Sequence, residues 1–259
     1  MTPLRPAPPA SVAEALSDLA TIGPFFAITV GDADGAWRPI AHAYAEGMPH
    51  LVAARAARYR TSELRVAASI VQLGHAARLW SLTLGCAVAH GLVPDLDDLH
   101  QETEGAALLV PRPRGWLVPD ALPQPRGWLI PDPLPRPGGW PDSETLAPVL
   151  YRLVMEEHLA ALAAGLRVKV ASGLLHGNAA SALAEAAREL IKARPSLRAP
   201  VTELTRRLLG TGDLRGRGLP LNRDFAFRRS TCCLYYRVPG GSGCGDCSLD
   251  RDRHRPPDG

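Results

Sequence analysis

The chain has 259 residues, 46% of them hydrophobic, and a formal net charge of +3 from 29 basic and 26 acidic side chains. That apolar content suffices for one sizeable core with a small appendage, or for two modest domains, and excludes disorder throughout. The nearly balanced charge offers no concentrated basic face, which argues against nucleic acid as a partner.

The opening run Met1-Thr-Pro-Leu-Arg-Pro-Ala-Pro-Pro-Ala has no apolar signal core. No segment reaches the ~18 apolar residues of a membrane span, so the expectation is a cytoplasmic chain without a transmembrane segment; peripheral membrane contact stays open. Ser11-Val-Ala-Glu14 has the capping-box pattern and predicts a first helix, stopped by Gly23-Pro24. Phe25 to Val30 is rich in β-formers and predicts a strand closing in the turn Gly31-Asp-Ala-Asp-Gly35, which lacks the remaining ligands of a calcium loop. Helix formers dominate from Leu51 to about Tyr59 and from Ser62 to about His90. In the second stretch Val66, Ile70, Leu73, Ala77, Trp80 and Leu84 recur at three- and four-residue steps and predict a core-facing stripe, with His75 and Arg78 on its solvated side. Cys86, inside Leu82-Thr-Leu-Gly-Cys-Ala-Val-Ala, reads as a small buried hydrophobe.

Between Pro111 and Pro141 the composition shifts and a repeat appears: Pro113-Arg-Gly-Trp116 to Gln124, Pro125-Arg-Gly-Trp128 to Arg136, then the truncated Pro137-Gly-Gly-Trp140-Pro-Asp142. Proline at this density excludes helix and interior strand and predicts a surface loop of turns and extended pieces, tolerant of losing one copy. The units are too short and too poor in apolar residues for a solenoid. Helical patterns resume from Leu146 to about Leu166, with Pro148 near the first turn; from Gly173 or Asn178 to Ala193, ended by Pro195; and from Val201 to Leu209. The expected fold is therefore α+β and mainly helical, with a few short strands. Residues 1–209 form a helical domain carrying the 111–141 loop, 210–220 a linker, 221–250 a small cysteine-rich segment, and 251–259 a disordered tail. Gly210-Thr-Gly212 in the linker has neither a preceding strand nor a third glycine, which rejects a dinucleotide fingerprint. No Walker loop and no H-E-x-x-H pair occurs, so hydrolase chemistry lacks a candidate.

Chemistry concentrates at the carboxyl end, where Cys232, Cys233, Cys244 and Cys247 fall in one glycine-rich stretch. Clustered thiolates are stable only when cations or disulfide bonds neutralise them. Nothing points to export, which weakens the disulfide reading. Structural zinc prefers two C-x2-4-C pairs, and only Cys244-Gly-Asp-Cys247 has that form. Neighbouring side chains of an extended chain point to opposite faces, so Cys232-Cys233 reaches one small ion only where the backbone leaves strand geometry. A [2Fe-2S] centre spreads four thiolates over two irons and relaxes that demand, although no familiar ferredoxin spacing matches. Spacing alone leaves these occupants open.

The run Phe227-Arg228-Arg229-Ser230-Thr231-Cys232-Cys233-Leu234-Tyr235-Tyr236-Arg237, followed by Gly240-Gly241 and Cys244-Gly245-Asp246-Cys247, resembles the C-C-x10-C-x2-C ending of the FhuF-type ferric-siderophore reductases. Weaker similarity extends through Glu63-Leu-Arg-Val-Ala-Ala-Ser-Ile, Ala77-Arg-Leu-Trp80-Ser and Leu174-Leu-His-Gly-Asn178-Ala-Ala-Ser-Ala-Leu183. The resemblance implies a [2Fe-2S] cluster held by Cys232, Cys233, Cys244 and Cys247. It also implies one-electron reduction of a ferric siderophore that releases iron in the cytoplasm, with electrons from a separate donor. Arg228, Arg229 and Arg237 become candidates for tuning the cluster or meeting an anionic chelate. The alternative is a non-enzymatic, metal- or cluster-stabilised module that binds iron chelates or senses redox state.

Overall fold

The computed structural model of the protein describes residues 5–118 and 143–249. After a short strand β1 (Arg5–Pro6), helix α1 (Pro9–Ala20) buries Val12, Ala15, Leu16 and Leu19. It starts earlier than the capping-box pattern predicts. Pro9 supplies the helical φ at the first position, and the Pro8 carbonyl accepts from the amides of Ser11 and Val12, so Ser11 lies inside the helix and caps nothing.

Of the predicted strand 25–30 only β2 (Thr29–Val30) pairs, and Asp34 Oδ1 closes the following turn by accepting from the Ala36 amide at 2.9 Å. Strand β3 (Trp37–Pro39) leads into α2 (Ile40–Glu46), α3 (Pro49–Arg58) and the long α4 (Leu64–Gly85), which continues as a π-helical turn over Cys86–His90. Strands β4 (Leu92–Pro94), β5 (His100–Glu102), β6 (Leu108–Val110) and β7 (Gly115–Leu117) follow. One sheet has the order β2-β6-β5-β3, parallel only between β2 and β6; a second, antiparallel, has the order β1-β7-β4.

Strand β7 corrects one expectation. Gly115-Trp116-Leu117 belongs to the first copy of the repeat, yet it is the middle strand of its sheet. Its three residues carry their amides, while the sheet's prolines, Pro6 and Pro94, sit on the outer strands, where a missing donor is tolerated. Residues 119–142, the rest of the repeat, and the tail 251–259 lie outside the described residues.

The predicted helix 146–166 is a continuous helical run made of α5 (Ser143–Tyr151), a π-helical stretch over Arg152–Leu159, and α6 (Ala160–Gly165). Pro148 lies past the first turn, inside α5. Helices α7 (Ser172–Ala193) and α8 (Arg198–Leu209) agree with the pattern read from sequence, and the chain closes in a hairpin of β8 (Gly218–Pro220) and β9 (Phe227–Arg229). The fold is mainly helical α+β.

The centre of the molecule is the pairing of α4 with α7, its most extensive helix contact. Alanines at 67, 68, 179, 180 and 182 are buried along these two helices and keep them slim, which lets their axes approach. Burial extends round most of α4, beyond the stripe its apolar spacing predicts. His75 is in the core, and Arg78 is half-buried, because α2, α3 and the 152–159 stretch cover the side expected to face water. Tyr44 Oη bridges His75 Nε2 at 2.6 Å and His158 Nδ1 at 2.9 Å. Burial, with Arg78 and His158 nearby, pushes the His75 pKa down to about 3, and burial pushes that of His158 down to about 4, so both rings are neutral. Cys86 is fully buried, as its neighbours predict. Among the described residues no helix is long and apolar enough to cross a membrane.

Candidate metal centre

The cysteine segment is built outward from the β8–β9 hairpin. Phe225 and Phe227 enter the main hydrophobic core and anchor the hairpin. The two-residue alternation of a strand then turns Arg228 outward and Arg229 inward. Beyond Arg229 the backbone leaves strand geometry. Leu234 adopts a left-handed conformation (φ +69°), a helical turn covers Tyr235–Arg237, and the Cys247 amide donates to the Cys244 carbonyl at 3.1 Å. This is the departure that two successive cysteines demand if both are to serve one centre.

All four cysteines are free thiols: Cys233 and Cys247 are buried, Cys232 and Cys244 partly so. Cys233 and Cys244 meet at 3.5 Å between sulfurs, and the Leu234 amide donates to Cys232 Sγ at 3.3 Å. The sulfur–sulfur hydrogen bond with Cys244 is the largest influence holding the Cys233 pKa down, against burial; Arg229 adds to the lowering. The same bond and burial push Cys244 up, and burial raises Cys232. One thiolate beside one thiol is the result for this pair. No three His, Cys, Asp or Glu donors among the described residues converge as a single metal ion requires. A two-iron unit asks two thiolates of each iron, and this soft, all-sulfur donor set of four fits that demand.

Beneath the thiols runs a polar network that sequence reading did not assemble. Arg229 is buried, its Nε facing Asp246 Oδ2 at 3.1 Å as an ion pair. Its other nitrogens donate to Asn178 Oδ1 at 3.0 Å and to the Gly177 carbonyl at 3.4 Å. Asn178 Nδ2 donates to the Ser69 carbonyl and to Gln72 Oε1 at 2.9 and 3.0 Å, and Ser69 Oγ donates to the Cys233 carbonyl at 2.9 Å. Ser181 Oγ donates to Asp246. The cysteine segment is thus fastened to α4 and α7 from both of its ends. Polar residues inside otherwise apolar helices, Ser69-x2-Gln72 and Asn178-x2-Ser181, were the available signal. They lie in or beside the upstream stretches that carry the weaker family similarity.

Further out, Thr231 Oγ1 donates to the Gly173 carbonyl, Arg237 makes a two-pronged pair with Glu63, and Tyr59 meets Tyr235 edge to face at 5.5 Å. Of the three arginines singled out from sequence, Arg228 is exposed, Arg229 is interior, and Arg237 is engaged by Glu63. A groove of about 490 Å³ opens beside Gly245 and Asp246, between α3, α4 and α7.

No curated protein and no solved structure matches the chain. Residues 229–249 match the FhuF 2Fe-2S C-terminal domain. The match begins at the buried Arg229 and contains all four clustered cysteines. The carboxyl-terminal segment of this chain is therefore of the FhuF type, and its cofactor is a [2Fe-2S] cluster.

Proposed function

We propose that this chain is a cytoplasmic ferric-siderophore reductase in which Cys232, Cys233, Cys244 and Cys247 hold the cluster. The observation that carries the reading is the set of four free thiols, inside the matched segment, placed over a buried arginine. When bound, the cluster would supply one electron to chelated Fe(III). The chain's own residues prepare for it. Arg229 favours the thiolate forms of Cys232 and Cys233, while its ion pair with Asp246 and its hydrogen bond to Asn178 engage the guanidinium out of water. Four thiolates in a half-buried loop repel one another, and a fixed interior cation offsets part of that repulsion without ordering a flexible side chain.

On the substrate side, a siderophore holds ferric iron with hard oxygen donors, and the softer, less charged ferrous ion is held far less tightly, so reduction is release. The described helices upstream of residue 210 form the body against which the chelate rests, and 221–250 carry the redox group. A separate donor re-reduces it, since no flavin or nicotinamide motif occurs in the sequence.

The test is spectroscopic. Protein purified without oxygen is expected to hold iron and acid-labile sulfide in equal amounts, and to show visible bands that bleach with dithionite and return when a ferric siderophore is added. Serine at any of the four cysteine positions is expected to abolish or shift those bands. Colourless protein containing zinc would overturn the reading in favour of a structural module, and bands that stay bleached in the presence of every ferric chelate would reduce it to cluster binding without turnover.

A further inference from the structure

The groove beside Gly245 and Asp246 carries an unbalanced charge. Four ionisable side chains of the helices line it: Arg55, Arg78, Glu185 and Arg188; Asp246 joins them from the cysteine segment. Both carboxylates are already engaged, Glu185 by Arg188 and Asp246 by Arg229. Arg55 and Arg78 have no carboxylate partner among the described residues. Arg78 donates to the Gly74 carbonyl at 3.2 Å and lies over the Phe25 ring at 5.3 Å, and Arg55 lies over the Tyr59 ring at 5.7 Å. Both are half-buried, and burial, with the like charge of Arg55 adding to it, pushes the Arg78 pKa down. Both therefore face the cavity without an acid beside them. Tyr59 also touches Tyr235, two residues beyond Cys233, so the groove and the thiols share a wall.

We infer that this groove is the chelate-binding site, and that it selects ferric chelates of net negative charge bearing aromatic rings, the tris-catecholate class, over neutral trihydroxamates. The inference rests on the reductase reading for its iron, but not for its binding. An anion between Arg55 and Arg78 relieves their mutual repulsion and gains charge-assisted contacts in a partly desolvated cleft. The rings of Phe25 and Tyr59 supply flat apolar walls for aryl groups, and Phe25 stays exposed although it lies against Arg78. A neutral chelate would desolvate both guanidiniums without supplying a counter-charge, which is a penalty against it.

The decisive probe is gallium(III), which has the size and charge of ferric iron but accepts no electron under these conditions. Titration of the intact, cluster-loaded protein with a gallium tris-catecholate, followed by tryptophan and tyrosine fluorescence, is expected to show binding that weakens with added salt. The variants R55Q and R78Q are each expected to weaken it on the order of tenfold, with R55K retaining more affinity than R55Q. A gallium trihydroxamate is expected to bind more weakly and to be indifferent to either variant. Unchanged tris-catecholate affinity in R55Q and R78Q, or equal affinity for the neutral chelate, would overturn the assignment. Because R78Q also removes the hydrogen bond to the Gly74 carbonyl, R55Q carries the test if R78Q misfolds. Gallium binding by a protein that never reduces the ferric form would uphold the groove and sink the reductase reading, so the two failures are distinguishable.

Discussion

Arg229 is the residue on which the cysteine segment turns. It touches Asp246, Asn178 and Gly177 at once, and a planar guanidinium satisfies three such partners in a way that an ammonium cannot. Arg229→Met leaves Asp246 without its cation beside clustered thiolates, and removing one member of a buried pair costs about 3–5 kcal/mol. Denaturant titration should show that loss, and iron and sulfide per chain should fall with it; a variant of wild-type stability and cluster content would refute the role. Asn178→Ala, which strips a hub without removing a charge, is expected to cost about 1–3 kcal/mol. Tyr44, His75 and His158 form the other buried polar cluster, and their prediction concerns pH. The native pKa values of about 3 for His75 and about 4 for His158 lie below the usual 6.5, so as pH falls through about 6.5 the unfolded chain takes up protons that the native state refuses. Stability contributed by the two neutral rings is complete above that point, declines as pH drops toward 4, and is exhausted below about 3. Urea midpoints at pH 7 and pH 5 should therefore differ clearly in the wild type and less in His158→Gln; equal slopes in the two proteins would disprove it.

Helices α4 and α7 supply Ser69, Asn178 and Ser181 to fasten the cysteine segment, and Gly177 of α7 lies hard against it. A Cβ placed there would come within 1.9 Å of Thr231 Oγ1. Gly177→Ala should raise local helix propensity by about 1 kcal/mol, yet push Thr231, next to Cys232, out of place. Lower cluster content with unimpaired helicity is the expected result, and adding Thr231→Ala should restore it; failure of that rescue would show that the clash is not the cause. The long helices were legible because apolar spacing and prolines mark them over many residues. The short strands were not: Thr29–Val30 or Gly115–Leu117 are too brief to show a two-residue period, and their partners lie far away in sequence. His75 was misplaced because periodicity along one helix cannot register that other elements cover its second face. The cysteines were legible as a spacing, whereas Arg229 and Asp246 were invisible as a pair, since their geometry exists only once the hairpin has folded back.

At the scale of the molecule the question is whether a cluster-bearing segment at the end of the chain folds as an annex or as part of the body. Phe225 and Phe227 belong to the same core as α4 and α7, Leu214 between α8 and the hairpin is buried in it, and the interior network crosses from Ser69 through Asn178 to Asp246. Undoing the segment would expose those rings and strand the polar groups of two central helices, so partial opening is costly and unfolding should be cooperative. Cluster absorbance and far-ultraviolet circular dichroism, followed together through an anaerobic denaturant titration, are expected to change in one coincident transition. Removing the cluster should move that transition to lower denaturant, since a group bound only by the native state stabilises it by mass action. Loss of the visible bands well before the helices melt would show instead that residues 221–250 open independently of a self-sufficient helical body.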